Sequence, residues 1–516
     1  MGYPGRARGS LGGTMKGMHT TAIAMLALAA ACGGGGGEAT APEDSLRQAE
    51  AYSADDVDHL LGRATFGITQ AARDRIAQIG LPAFVDEMLD FPTDGTSAVE
   101  TTARTYLVNG TDPVGLEGKF PSTSDITDWW LYLMLRSQHP FQERLALFWH
   151  DHFAISSVAL RAEERYLMVD YLEKLRRQGI GNFRTLVLTM ARDGAMLEWL
   201  DGSSSVKAEP NENFAREFFE LFTVGADRGY TETDIQEASR AFTGYRNRLD
   251  PTTNLRVLEF DGARKDVGTK VLFGDVILPS NGLAADDYEL VVNATFAHLD
   301  VASWLAEKLL LEFVTDRPSA ALIANLATVI RDADYEMRPV LRTLFLSDAF
   351  HRRKQEMIRM PIDFGIGLVR ATGLMVTPEV MRAELLSLAQ VPGEPPSVFG
   401  WPQGEQWLSA AGMVERANLV RRVIAERTYQ TNNGFAITMP AGTPDAGAVV
   451  DHFASLLAID LAEGERTTLV TYLDTHVPSL GVEQPDPFDP SNASDISNRV
   501  RGLVWILANH PDALLR

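Results

Sequence analysis

Asn211-Glu212-Asn213-Phe214-Ala215-Arg216-Glu217-Phe218-Phe219-Glu220-Leu221-Phe222-Thr223-Val224, followed by Gly225, is the stretch on which the fold class turns. Phe214, Phe218, Leu221 and Phe222 recur at spacings of three and four, and the charged residues fall between them. That is the period of an amphipathic helix and not the alternation of a strand. Gly225 is the stop, because glycine fits the left-handed position that ends a helix. The spacing therefore predicts one helix over 211–224.

The same punctuation recurs on both sides. Ser53-Ala54-Asp55-Asp56 reads as a helix start, and Thr231-Glu232-Thr233-Asp234 has the form of a capping box opening a helix that runs to Gly244. Two aromatic-rich helices, 127–136 and 141–150, flank Pro140, and further helical patterns cover 167–175, 183–190, 286–346, 358–373 and 381–389. The period changes only once. Residues 255–260 and 270–273 flank a polar loop with Gly262 and Gly268, which predicts a β-hairpin. A loop rich in Pro, Gly and Trp spans 391–407, and a Pro/Asp-rich loop spans 484–494. The expectation is a mainly α protein, with residues 53–516 forming one large multi-helix domain that carries a small β-hairpin insertion.

The N-terminus has a different character. Arg6, Arg8 and Lys16 precede the short apolar run 21–31, which ends in Leu28-Ala29-Ala30-Ala31-Cys32. A basic region, an apolar core and small residues make a secretory signal, and the run is shorter than the ~20 residues a membrane span needs. The end resembles a bacterial lipobox, with the leucine one place early, so Cys32 is the expected lipidation site and new N-terminus. Plain secretion is the alternative. Residues 33–52 begin with five glycines and read as a flexible tether. Cys32 is the only cysteine of the 516 residues, which excludes intramolecular disulfides and cysteine-cluster metal sites. With 47 basic against 69 acidic residues, a net charge of −22, the surface repels phosphate backbones, and no nucleic-acid partner is expected.

Five segments in order resemble the bacterial family called domain of unknown function 1800. They are His59-Leu60-Leu61-Gly62-Arg63-Ala64-Thr65-Phe66-Gly67; Phe148-Trp149-His150-Asp151-His152-Phe153; the 211–225 helix; Tyr230-Thr231-Glu232-Thr233-Asp234; and Pro395-Pro396-Ser397-Val398-Phe399-Gly400-Trp401-Pro402 with Trp407-Leu408. The resemblance implies a mainly helical bacterial protein, and a sulfatase-related protein encoded nearby as a partner. It implies no reaction. The family pattern places a histidine before the aspartate of the hairpin loop, whereas here Lys265 precedes Asp266.

Chemistry-capable residues concentrate in two of these segments. Asn213, Glu217 and Glu220 share one face of an α-helix, while Glu212 and Arg216 are four apart on a neighbouring face. Carboxylates beside an aromatic wall acquire raised pKa values, as general acids and bases require. Glutamates met by histidines from another helix can also hold a divalent metal, the one cofactor such a set suggests. His150 and His152 are the candidate ligands. Two apart on a helix, they point about 200° from each other, so both converge on one ion only if the helix ends there. No His-Glu-x-x-His motif, P-loop or dinucleotide fingerprint occurs.

Two functions follow. One is a cell-envelope hydrolase using Glu212, Arg216, Glu217 and Glu220 with His150 and His152. The other is a non-catalytic envelope binding or assembly module. There Arg216 pairs with Glu212, Glu217 pairs with Arg240 or Arg63, and the histidines donate to backbone carbonyls. The 400–402 loop with Trp407 is either a sugar-stacking surface or a plug over the core.

Overall fold

Ser53 accepts a hydrogen bond from the Asp56 amide, the Asp56 carboxylate accepts one from the Ser53 amide, and the helix Ala54–Ala64 starts on that box. The computed structural model describes residues 44–107, 120–252, 255–278, 284–425, 437–476 and 484–516. The described residues all belong to one compact unit. Cys32, the signal segment and the tether up to residue 43 lie outside the described residues. Residues 44–52, which composition assigns to the tether, are instead docked on the folded body. The Asp44 carboxylate binds Ser319 and Arg353, and Gln48 bridges to Ser347. A polar stretch reads as linker when its partners are distant in sequence.

Helices dominate the rest. The aromatic pair becomes Thr123–Arg136 and Pro140–His152, with Pro140 at the first helical turn, where its missing N–H costs nothing. No described helix is long and apolar enough to cross a membrane.

Pro140–His152 is the centre of the core. Apart from Pro140 and Asp151, every residue of this helix is buried, charged ones included. Glu143 receives two nitrogens of Arg176 at 2.8 and 2.9 Å and the Trp130 indole at 3.1 Å. Arg176 also reaches Glu100 at 2.9 Å and Glu173 at 3.2 Å. The next residue, Arg144, pairs with Glu312 at 2.6 Å and with Asp363, whose other oxygen holds Arg516 at 2.8 Å. These pairs tie helices far apart in sequence to one axis.

The β structure differs from the expected hairpin. Both predicted segments are strands, but they pair elsewhere. Strand β1 (Tyr245–Leu249) pairs with β2 (Arg256–Phe260), and β3 (Lys270–Leu272) pairs with β4 (Val276–Leu278), both antiparallel. A third short pair joins β5 (Thr475–His476) to β6 (Gln484–Pro485). The cause is local turn chemistry. Asp250 folds back on the Thr252 amide after β1, and Phe273-Gly274 takes two left-handed conformations after β3, the geometry of a tight hairpin turn. The helix opened by Thr231 ends at Ala241, three residues before Gly244, whose φ of +112° places it under the Phe260 ring.

Arg176→Met leaves Glu143 and Glu100 buried without their cation, and one-sided removal of a buried ion pair costs about 3–5 kcal/mol. Urea unfolding of the variant should show that loss, and an unchanged midpoint would refute the role given to this network.

Candidate functional site

The 211–225 segment starts as expected and then departs. Asn211 caps the helix Glu212–Glu217, but from Phe218 to Thr223 the chain is a π-helix. Four apolar side chains at 218, 219, 221 and 222 cannot all enter the core from an α-helix face. The wider turn turns Phe218, Phe219 and Phe222 inward, and all three are buried. The Thr223 hydroxyl donates to the Phe218 carbonyl five residues back. The carbonyls at the end of the segment are satisfied from other helices: the Trp304 indole donates to Leu221 at 2.9 Å, and His152 Nε2 to Phe222 at 3.0 Å. Gly225 then turns at φ +96°, where a Cβ would meet the Trp304 ring at 2.9 Å.

Arg216 is the hub of the polar face. It makes a two-pronged pair with Glu232 at 2.7 and 2.9 Å, and lies 3.5 Å from Glu220 and 3.9 Å from Glu212. The expected Glu212 pairing is thus the longest of three. Glu232, missed by the sequence reading, is the closest partner, and its bond to Arg216 holds its carboxyl below the usual range. The surroundings are partly open to water, so these pairs are weak individually. Glu217 pairs with neither expected arginine. Arg240 binds Glu237 and Asp266, while Arg63 donates to backbone carbonyls at 313, 314 and 353. Half-buried beside Glu220, Glu217 has a carboxyl raised by burial and then by that neighbouring charge, against the pull of Arg216.

The histidines do not join this face. His150 packs among the rings of Trp130, Tyr171 and Trp401, with Nδ1 3.2 Å from the Tyr171 hydroxyl. His152 lies on the opposite side, beside Phe153, Phe183 and the Phe222 carbonyl. Burial pushes both imidazoles down to about 3, so both are neutral. The helix does end at His152, yet the two rings stay apart. Among the described residues no group of three or more His, Cys, Asp or Glu side chains is arranged to hold a metal ion.

Asp151, between them, is the residue the sequence reading passed over. Its carboxylate accepts from the Trp401 amide at 2.7 Å and from Gln403 at 3.3 Å. Burial raises its carboxyl to about 6, against those bonds and the charge of Lys308, which itself stacks 4.6 Å over Trp304. Gly400, at φ +77°, sits so close that a Cβ there would lie 2.2 Å from Asp151 Oδ1. Trp401 and Trp407 are 5% and 8% exposed, so the loop is a plug and not a sugar-stacking surface. The aspartate in 148–153 and the glycine in 395–402 were the available signal, but sequence separation hid their pairing. Lys265, standing where the family pattern has histidine, is structural too: it shares Asp287 with Lys270 at 2.6 and 2.9 Å.

These features define a mainly helical protein whose motif residues are used largely to lock its own interior. The chain belongs to the family described as Protein of unknown function (DUF1800), whose model matches residues 59–512. No curated protein and no solved structure matches the chain.

Asp151 carries a pH signature. Its folded pKa of about 6 lies above the unfolded value of 3.8, so the folded state holds the extra proton between them. Stability therefore falls as pH rises from about 4 through 6, by about 3 kcal/mol from the two-unit difference. Asp151→Asn removes this decline. Unfolding of both proteins between pH 4 and 7.5 checks it, and parallel curves would contradict the assignment.

Proposed function

We propose that this is an exported protein, lipid-anchored at Cys32 in the cell envelope, which acts as a non-catalytic binding or assembly module with a sulfatase-related partner. The observation that supports the module reading is the enclosure of His150 and His152 among aromatic rings, one on each side of their helix, while Glu212 and Glu220 are committed to Arg216. A metal ligand or proton carrier must reach its ion or substrate, and neither imidazole has that access. The N-terminal order of basic, apolar and small residues ending on Cys32 supports the anchor.

Cys32→Ser should abolish incorporation of labelled palmitate and shift the chain from the membrane pellet to the soluble fraction; continued labelling would refute the anchor. Elemental analysis of the purified chain should find no stoichiometric transition metal. One ion per chain, lost in His150→Ala, would restore the metal-centre reading.

A second reading, a cell-envelope hydrolase, rests on Glu217, whose half-buried and raised carboxyl suits acid–base chemistry. The two readings separate in Glu217→Gln. As scaffold, the neutral isostere removes the cost of burying a charge and leaves Tm at pH 7.5 equal or higher. As a catalytic carboxyl, its replacement leaves Tm similarly intact but abolishes turnover of envelope polymer.

A further inference from the structure

The buried charges around Arg144 do not balance. Glu312 and Asp363 are the two carboxylates of this cluster, and both are already engaged by Arg144 and Arg516. Two more guanidiniums, Arg359 and Arg416, lie against it with no ion pair to any described acid. Arg416, 2% exposed, donates one N–H to the Arg359 carbonyl at 2.7 Å and rests 5.1 Å over the Phe364 ring; its Nε and Nη1 have no hydrogen-bond partner among the described residues. Arg359, 7% exposed, has no ion pair and no side-chain hydrogen bond to any described residue. Its nearest compensating charge is Asp363, which is already shared. Burial lowers both guanidiniums to about 10, so both remain charged at neutral pH.

An uncompensated buried cation is among the costliest things a fold can keep, unless something supplies the missing charge. Arg359 has the room for it. It lines a cavity of about 520 Å³ together with Arg516, His59 and Lys354. The cavity walls come from the first helix, the 351–359 segment and the Ala446–Leu456 helix with the loop after it. None of these residues belongs to the Arg216 face.

We propose that this cavity is a binding site for a small molecule carrying a single oxyanion group, a carboxylate or a sulfate or phosphate ester, held by the Arg359 guanidinium at its inner end. A planar guanidinium offers paired N–H donors that match two oxygens of such a group. His59 is kept neutral by burial and by Arg63, and its Nε2 is occupied by the Phe350 carbonyl, so it adds shape and no charge. The other lining acids limit what enters. Asp58 and Asp451 are neutralised by Arg73 and Arg466, but Asp55 and Asp460 are exposed and make no ion pair with any described residue. Two free carboxylates around the one unpaired cation of the cavity repel polyanions such as nucleotides and admit a ligand with one oxyanion group. The site stands apart from the envelope reading and holds whether or not the chain is anchored.

Equilibrium dialysis of the purified intact chain against labelled sulfate, at ionic strength held constant with chloride, tests it. Saturable binding of one sulfate per chain is expected, displaced by phosphate or acetate but not by added chloride. Arg359→Met should weaken it at least tenfold, and should raise Tm in the absence of sulfate because a buried unpaired charge is gone. Asp460→Asn, an exposed and fold-neutral change, should tighten sulfate at least twofold. Absence of saturable binding, or binding equal in all three proteins, overturns the proposal. If Arg359→Met does not fold, Asp460→Asn decides: unaltered sulfate affinity there would also overturn it.

Discussion

The constraint on which the rest of this structure depends is the burial of Glu143 and Arg144 side by side in Pro140–His152. Adjacent residues on a helix point about 100° apart, so the two charges face different neighbours and each must be answered from a different direction. Glu143 is answered by Arg176 from the 165–178 helix, and Arg144 by Glu312 and Asp363 from two later helices. Each answer fixes the height and rotation of the helix that gives it. Alternative packings of so many apolar helices would have similar buried area, but they would strand a charge. The ion pairs thus choose among packings that the hydrophobic effect alone leaves close in energy.

The same logic runs to the C-terminal end of that helix. Asp151 is answered by the backbone and side chain of the 400–403 loop, and His152 by a carbonyl of the π segment. The π-helix follows from this. Its four apolar side chains demand a wider turn, which leaves carbonyls at 221 and 222 in need of donors. Trp304 and His152 provide them. A histidine in this position must keep its proton on Nε2 and stay uncharged, which the surrounding rings enforce by excluding water.

Local signals were legible in the sequence, and distant pairings were not. Ser53, Thr231, Pro140 and Gly225 mark their helix ends because capping and φ preferences act within a few residues. The segments at 255–260 and 270–273 were recognisable as strands from their composition. Their partners were not, since the choice depended on turns at Asp250 and Phe273-Gly274. Helical spacing put Arg216 beside Glu212 and Glu220, but the strongest bond goes to Glu232, across a turn that periodicity does not describe. The docking of residues 44–52 and the Asp151–Gly400 contact span hundreds of residues and leave no periodic trace.

The consequence for function is that a motif rich in His, Asp, Glu and Arg says only that polar groups are held somewhere, and the decisive property is whether each is satisfied. Glu143, Asp151 and His152 carry chemistry in their formulae, but the fold consumes it: their oxygens and nitrogens already have partners, or are sealed from any solute. Arg359 has the opposite status. It was unremarkable in the sequence, outside the five family segments, yet it is a buried cation lining open volume with no ion pair to any described residue. Selection for stability alone would replace such a group with an apolar one of similar size, because an uncompensated charge gives nothing back to the fold. Retaining it makes physical sense where binding energy repays what folding loses, which is the general relation between strained or unsatisfied sites and function.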